Sequence, residues 1–149
     1  MSQTAKEIID KLQLEPHPEG GWYKETYRHK TEDGSRGNES RGDQTAIFFL
    51  LEKGQSSHWH RIDAVEMWHW YAGSPLILKS HSGSEEKVVT LGPDVLAGQT
   101  PQFVIPKQHW QAASAEQGWA LVGCTVAPAF EFEGFELAEP GWSPDNSSG

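Results

Sequence analysis

Short apolar segments alternate with polar, glycine- and proline-rich segments along almost the whole chain. One segment near the start has helical spacing, because Ile8, Ile9 and Leu12 fall on one face of a helix. The preceding residues, Thr4 to Glu7, have the form of a capping box, which is typical of a helix N-terminus. The pattern therefore predicts one short helix over about residues 5–13.

The other apolar segments have the shorter period of β-strands. Residues 45–51 form a continuous apolar run, as in a strand buried on both faces, and most of the remaining segments alternate apolar with polar positions. Glycine and proline separate them, which is typical of tight turns. About ten short strands are predicted, at residues 22–28, 45–51, 57–61, 66–71, 76–81, 86–91, 102–105, 110–114, 119–127 and 132–137.

The pattern indicates a single domain over residues 1–149, with no internal repeat and no linker. Residues 29–43 contain no apolar side chain and predict a long exposed loop. Residues from about 138 to 149 have too little apolar content to offset their ordering entropy, so they predict a flexible tail.

Composition supports a fold built from strands. Seven Trp, six Phe and three Tyr accompany 15 Gly and nine Pro, a combination of strand-forming and turn-forming residues. The fold class predicted from residues alone is therefore all-β, either a sandwich or a barrel.

Charge and hydropathy exclude several classes of partner. The formal charge of −9 repels a phosphate backbone, so we expect no nucleic acid. Because the chain has no run of about 20 apolar residues and begins with polar residues, we expect no membrane partner and a cytoplasmic location. The single cysteine, Cys124, rules out an internal disulfide and a multi-thiolate zinc site, and its apolar strand indicates a packed thiol.

Strand alternation assigns candidate side chains to faces. In residues 22–28, Tyr23 and Tyr27 share the face of Glu25, and Arg28 falls on the other face.

In residues 66–71, Glu66 shares a face with Trp68 and Trp70, and Tyr71 lies opposite. His58 and His60 are two residues apart in an extended segment, so both imidazoles are predicted to point towards one metal ion or one substrate.

The residues around this histidine pair resemble a known motif. The stretch Gly54-x3-His58-x-His60-x5-Glu66-x6-Gly73 resembles the first motif of the cupin superfamily, and Gly98, Pro106 and Gln111 resemble the second. With the opening HPEGGWYKETYR at residues 17–28, the chain resembles one mostly uncharacterised cupin family over about residues 5–137.

This resemblance implies a double-stranded β-helix, the jelly-roll barrel of cupins, with a short N-terminal helix. It also implies a relationship to the epimerases of the deoxysugar (dTDP-rhamnose) pathway and to seed storage proteins. A homodimer is expected on the same ground, and a sheet edge is a ready pairing surface.

A divalent metal is an alternative that the resemblance raises. In metal-binding cupins, residues matching His58, His60 and Glu66 bind the ion together with a fourth ligand, usually His. Here the separation of His60 and Glu66 is longer than usual, Gln111 stands at the fourth position, and His109 comes two residues too early. Because a neutral amide is a poor ligand beside imidazoles, we expect no cofactor.

The leading hypothesis for the chemistry is an acid/base pair. His60 would remove or deliver a proton, and Glu66 would fix the tautomer of His60 and stabilise its charged form, inside a barrel where burial shifts both pKa values towards neutrality. A tyrosine, which is Tyr71, Tyr23 or Tyr27, would supply the proton on the opposite side, and the sequence does not decide among the three.

Several residues are candidates for holding a substrate. Four tryptophans and an amide flank the pair and suggest a floor for a small ligand with an apolar face and hydroxyls, such as a carbohydrate. The binding candidates are Trp59, Trp68, Trp70, Trp110, Gln111, Tyr27 and Arg28. Arg28 would recognise an anion, as basic residues do in the related epimerases, with Arg36 and Arg41 as further candidates.

The sequence thus predicts a small-molecule-binding cupin with isomerase or epimerase chemistry that needs no metal. Two alternatives stay open: a metal-dependent dioxygenase or isomerase, and a non-catalytic binding or storage-like module. The segment His17 to Gly21 is consistent equally with a fixed turn and with part of the site.

Overall fold

In the computed structural model, residues 2–29 and 41–144 are described. Most of the predicted exposed loop, including Arg36, lies outside them. The described residues form one helix, eleven strands and two short 3-10 turns. They are α1 (Ser2–Leu12), β1 (Glu15–Pro16), β2 (Trp22–Arg28), β3 (Thr45–Leu51), β4 (Ser56–Ile62), β5 (Val65–Gly73), β6 (Leu76–His81), β7 (Glu86–Leu91), β8 (Gln102–Ile105), β9 (Trp110–Ser114), β10 (Ala120–Ala127) and β11 (Phe135–Leu137), with turns at Val95–Ala97 and Phe132–Gly134.

Two antiparallel sheets build the barrel. The larger sheet has the order β1-β2-β3-β10-β5-β8, and the smaller has the order β11-β4-β9-β6-β7. Between them lies a core that includes Phe49, Trp68, Leu78, Leu91 and Val122, all fully buried. The all-β jelly-roll class expected from the sequence is confirmed, because inward-facing apolar positions of both sheets meet across one interior.

The single helix packs on the outer face of the larger sheet. Ala5, Ile9 and Leu14 form a buried cluster with Leu50 of β3. The helix begins at Ser2, so the Thr4-to-Glu7 pattern lies inside its first turns and does not mark its start. Gln13 ends it in a left-handed conformation, with φ of 58°. The apolar stripe thus predicted the helix correctly, because burial of one face decides helix formation more strongly than capping.

β-Bulges interrupt the alternation of side chains on three strands, β2, β4 and β5, and those in β2 and β4 affect the site. Against β3, Glu25 pairs with Ile47 but Tyr27 pairs with Ala46, so Thr26 is an extra residue in β2. An extra residue in one strand reverses the alternation beyond it. Arg28 therefore joins the inner face of β2, and Tyr27 turns outward.

The second bulge lies in β4. Ser57 pairs with Ala113 and His60 pairs with Gln111 on β9, so three steps along β4 match two along β9. Ser57 and His60 both face inward, although residues three positions apart in a regular strand face opposite sides. His58 is displaced from this face.

The C-terminal segment lies along the outer face of the smaller sheet. The Ala138 amide donates to the Trp59 carbonyl over 3.0 Å, and the His58 ring Nε2 donates to the Glu139 carbonyl over 2.8 Å. Trp142 packs on Trp110 at 4.6 Å between ring centroids. The predicted tail thus makes contacts in its first residues; its flexibility stays a prediction, and residues 145–149 lie outside the described part.

Among the described residues, no helix is long and apolar enough to cross a membrane.

Candidate functional site

A cavity of about 190 Å³ opens between the two sheets, at the end of the barrel where β2 and β11 lie. The lining is mostly apolar, and the rings of His17 and His60 pack against its phenylalanines. The apolar part, which we call the phenylalanine wall, consists of Ile47, Phe49, Ile62, Val126, Phe130, Phe132 and Phe135. Since pockets for small molecules are mainly apolar with a few placed polar groups, this cavity has the composition of a ligand site.

His60 projects into the cavity from β4, with only 2% of its side chain exposed. Its Nδ1 lies 2.7 Å from the backbone carbonyl oxygen of His58. A carbonyl can only accept, so Nδ1 carries the hydrogen and donates. In a neutral ring this leaves Nε2 with a free lone pair, directed at Glu19 Oε1 at 3.3 Å.

Glu19 faces His60 from the loop between β1 and β2. Gly20 allows the close approach of this loop to β4, because its φ is +112° and a Cβ there would collide with the Ser56 carbonyl oxygen. The His58 amide donates to the Glu19 carbonyl over 2.7 Å, and the Ser57 hydroxyl donates to Glu19 Oε2. The loop and β4 are therefore fixed to one another at the site.

Burial decides where the proton between Glu19 and His60 resides. It raises the pKa of Glu19 to about 8 and lowers the pKa of His60, because both charged forms lose hydration. Both shifts favour the neutral pair. In the neutral pair the Glu19 carboxyl group is the donor and His60 Nε2 is the acceptor.

His17 completes this side of the cavity. Its Nδ1 accepts a hydrogen bond from the Glu19 amide over 3.1 Å, and its ring lies edge-on to Tyr23 at 4.5 Å. Burial, and then the neighbouring His60, lower its pKa to about 4. His17 is therefore neutral, and its approach of 3.5 Å to Glu19 Oε1 is not an ion pair.

Glu66 projects into the same cavity from β5. Trp68 Nε1 donates to Gln111 Oε1 over 2.7 Å, which directs the Gln111 amide nitrogen at Glu66 Oε1 over 2.9 Å. The Cys124 thiol also hydrogen-bonds to Glu66. Burial raises the pKa of Glu66 to about 7, although His60 and these donors oppose the rise. This carboxyl group can therefore both take and give a proton near neutral pH.

At the exposed end of the cavity, Arg28 is occupied by partners of its own. Its guanidinium donates to Glu25 over 2.7 Å and to the Phe130 carbonyl over 2.9 Å, and it lies 3.5 Å from Glu131. Arg41, the loop candidate, donates to both carboxylate oxygens of Asp63 and to the Ala129 carbonyl. The two arginines hold the segment that carries the phenylalanine wall.

The central geometric prediction is confirmed, since His60 and Glu66 both face one ring-lined cavity. Trp68 and Gln111 lie in the interior behind Glu66, fully buried. Trp70 also faces inward but packs against the core, and its Nε1 donates to the Ser74 carbonyl at the far end of β5.

Other candidates lie on the outer faces of the sheets. Tyr71 is 50% exposed and stacks on His69, across the sheet from Glu66, so it cannot deliver a proton to the cavity. The bulge in β2 turns Tyr27 outward, where it is 52% exposed. The predicted roles of Tyr71 and Tyr27 in the site are therefore wrong.

Two of the four tryptophans also point away from the cavity. Trp59 lies over the outer surface of the smaller sheet, beside Ile77 and Lys79. Trp110 alternates with the inward Gln111 and packs between Arg61, 4.6 Å away, and Trp142. The rings that line the cavity are those of phenylalanines, Tyr23, His17 and His60, and none of the four tryptophans is among them, so the predicted tryptophan floor is wrong.

The residues expected to bind a metal do not form a ligand set. The prediction that His58 and His60 point the same way is wrong, because the bulge turns His58 towards the Glu139 carbonyl. Gln111 is occupied by Trp68 and Glu66. Among the described residues, no three His, Cys, Asp or Glu side chains are placed to hold one ion.

The sequence predicted no chemical role for Glu19. Its segment, residues 17–21, was consistent equally with a fixed turn and with part of the site. The sequence-based prediction also missed Ser57 and the phenylalanines of the β10–β11 connection. The signal for Glu19 was present, because a glutamate followed by two glycines after a His-Pro pair is an unusual way to build a plain turn. Nothing local in the sequence indicates that Ser57 would meet it, since the two positions are 38 residues apart.

Comparison with known proteins supports this architecture. The family model described as cupin superfamily (DUF985) matches residues 6–138. No curated protein gives a match.

Among solved structures, a protein from Shewanella oneidensis is 41% identical, with a TM-score of 0.83 over 91% of this chain and 84% of its own. A hypothetical protein from Leishmania major is 31% identical, with a TM-score of 0.81 over 90% of this chain and 86% of its own. An uncharacterised double-stranded β-helix protein from Klebsiella pneumoniae, 14% identical with a TM-score of 0.58 over 88% of this chain and 94% of its own, shares the fold.

Proposed function

Because the chain belongs to the cupin superfamily, in the family described as DUF985, we propose that its barrel binds a small molecule and moves protons on it. The reaction is of the isomerase or epimerase type and uses no metal. One observation carries the proposal: a buried imidazole, His60, lines one cavity together with two carboxyl groups, Glu19 and Glu66, and its Nε2 lies 3.3 Å from Glu19 Oε1.

The arrangement supports proton transfer at a carbon next to a carbonyl group. Glu66 in its ionised form removes the carbon-bound proton, and the Glu19–His60 pair donates its shared proton to the carbonyl oxygen. Glu66 then gives the proton to the neighbouring carbon, which was the carbonyl carbon, and the hydroxyl group on the carbon deprotonated first returns a proton to the Glu19–His60 pair. Each proton removed is replaced, so the substrate is isomerised without a redox partner.

The size of the cavity supports a ligand of about one ring. An engineered cavity of about 150 Å³ binds benzene, so 190 Å³ suits a body of about six to ten non-hydrogen atoms. The phenylalanine wall takes the apolar face and the Glu19–His60–Glu66 wall takes hydroxyl or carbonyl groups. Carbohydrate-derived molecules combine these two faces and are our leading substrate class.

Deuterium incorporation tests the chemistry. Sugars, nucleotide sugars and amino acids are first screened by thermal shift, and each hit is incubated with the protein in D2O. We expect solvent deuterium at one carbon of the true substrate, detected by NMR. Glu66→Gln and His60→Asn should slow incorporation by about 10²- to 10⁴-fold, the usual contribution of a positioned acid or base.

The matched control is Tyr71→Phe, which removes a hydroxyl on the outer face and should leave the exchange rate unchanged. If hits bind but none exchanges deuterium, the protein is a binding module and the catalytic proposal fails. If purified protein contains stoichiometric Fe, Mn, Ni or Zn that His60→Ala loses, the metal-free mechanism fails.

We propose in addition that the functional unit is a homodimer, the assembly that the family resemblance implies.

A further inference from the structure

We propose that the cavity selects a small organic ammonium ion, whose charged group lies between Glu19 and Glu66 and whose body lies against the phenylalanine wall. This inference rests on the proposed function only in using the same cavity. It narrows the carbohydrate-derived class to molecules that carry an amino group, because proton transfer by itself does not determine the charge of the ligand.

The charges that face the cavity are unbalanced towards acid. Titratable groups come from the β1–β2 loop and from β2, β4, β5 and β10: His17, Glu19, Glu25, Arg28, His60, Glu66 and Cys124. Arg28 is the permanent cation among these described lining residues, and Glu25, Glu131 and the Phe130 carbonyl occupy its donors. The inner end of the cavity therefore holds two carboxyl groups and no available cation.

An anionic ligand is poorly matched to this wall. A carboxylate or phosphate beside Glu19 and Glu66 would meet two acids and two neutral imidazoles, so it would be desolvated without a counter-ion. It could recruit Arg28 only by breaking contacts that hold the aromatic segment in place. This arrangement argues against the anion-binding role expected for Arg28.

A cationic ligand supplies the positive charge that the two carboxyl groups lack. Buried charges require a partner, and an ammonium group between the two carboxyl groups allows at least one of them to ionise. Their raised pKa values are consistent with this view, because each carboxyl group is now buried without a cation of its own.

The aromatic wall favours the same ligand. Phe49, Phe130 and Phe135 line the cavity with Tyr23, and ring faces attract a desolvated ammonium group. The overall charge of −9 also raises the local concentration of small cations around the protein.

Three probes of one ring size and different charge provide the test: benzylammonium, benzyl alcohol and benzoate, titrated calorimetrically at pH 7. We expect benzylammonium to bind at least about tenfold more tightly than benzyl alcohol, the gain typical of a hydrogen bond to a charged group. Benzoate should bind more weakly than the alcohol. Titration in two buffers of different ionisation enthalpy should show proton release on binding of the amine.

Glu66→Gln should lower the affinity for benzylammonium by at least about tenfold and leave the affinity for benzyl alcohol nearly unchanged. The control is Glu86→Gln, a neutralised carboxyl group exposed on β7, which should change neither. Circular dichroism of each variant confirms its fold.

Benzoate binding as tightly as benzylammonium, an unchanged ratio in Glu66→Gln, or no binding of benzylammonium at millimolar concentration would each overturn the inference. These outcomes are independent of the deuterium experiment. A neutral substrate that exchanges deuterium would keep the proposed function and refute the ammonium site, and an amine that binds without exchange would do the reverse.

Discussion

A single backbone carbonyl decides what His60 can do. The His58 carbonyl oxygen accepts the Nδ1 hydrogen and thereby leaves Nε2 to face Glu19. The sequence-based hypothesis gave the task of orienting His60 to Glu66. In the structure Glu66 is held instead by Gln111 and Cys124, so the two carboxyl groups have separate roles.

The protonation state of His60 can be measured without a substrate. Because burial lowers its pKa below 6.5, we expect the ring to be neutral at pH 6.5, with the hydrogen on Nδ1 and none on Nε2. Nitrogen-15 chemical shifts from a long-range proton–nitrogen NMR spectrum report both nitrogens. His58→Ala should preserve this tautomer, since the acceptor is backbone; an imidazolium at pH 6.5, or a hydrogen on Nε2, would contradict the geometry.

At the scale of elements, the bulges in β2 and β4 determine the composition of the site. On the inner face of β2 the bulge replaces Tyr27 with Arg28. In β4 the bulge removes His58 from the inner face. The bulge in β2 also places Tyr27 in a continuous row of uncharged side chains across the outer face of the larger sheet. Its directly paired members are Tyr27, Ala46, Thr125, Met67 and Val104.

We expect the proposed homodimer to form through this row. Tyr27 and Val104 at its two ends are 52% and 43% exposed, and a protein with a charge of −9 can approach its own copy most easily through an uncharged face. Light scattering after gel filtration should give twice the 16.6 kDa mass of the chain. The double variant Tyr27→Lys, Val104→Lys should give the monomer, because it places like charges opposite one another.

The matched control is Val88→Lys on β7 of the other sheet, a position 53% exposed, which should leave the assembly unchanged. A monomeric wild type would contradict the homodimer. A dimer that resists the double variant would contradict only this choice of face.

At the scale of the whole molecule, the buried titratable groups of the site lower the free energy of unfolding by an amount that depends on pH. Glu19 and Glu66 bind protons in the folded state up to pKa values of about 8 and about 7, whereas the ordinary value is 4.5. The unfolded chain therefore holds fewer protons between pH 4.5 and 8, so the free energy of unfolding falls as pH rises through this range. His17 and His60, with lowered pKa values, bind fewer protons when folded, so stability also falls as pH drops below 6.5.

Between pH 6.5 and 8 the two carboxyl groups outweigh His17 and His60, because the histidines of the unfolded chain have already lost half of their protons at pH 6.5, so the free energy of unfolding falls. We expect urea denaturation to give a free energy of unfolding lower at pH 8.5 than at pH 6.5 by at least about 1 kcal/mol, which corresponds to less than one unit of pKa difference. Glu19→Gln should reduce this loss and Glu86→Gln should not. Stability that rises from pH 6.5 to 8.5 would show that these carboxyl groups are ionised in the folded protein.

The sequence by itself determined the features that depend on local periodicity. The apolar stripe of residues 8–12 predicted the helix, alternation in β5 placed Glu66 inward with Trp68, and the apolar run at residues 45–51 predicted a central strand. These features follow from neighbours a few positions away, because one face of each element must be buried. The family resemblance added that the strands form a jelly-roll barrel.

Only the tertiary structure decided which polar side chains meet. The faces of Tyr27, Arg28 and His58 depend on bulges, which form where one strand must match the register of another. The contact of Glu19 with His60 depends on a loop closing against a distant strand. Such contacts are fixed by packing between segments remote in sequence, and alternation within one segment carries no information about them.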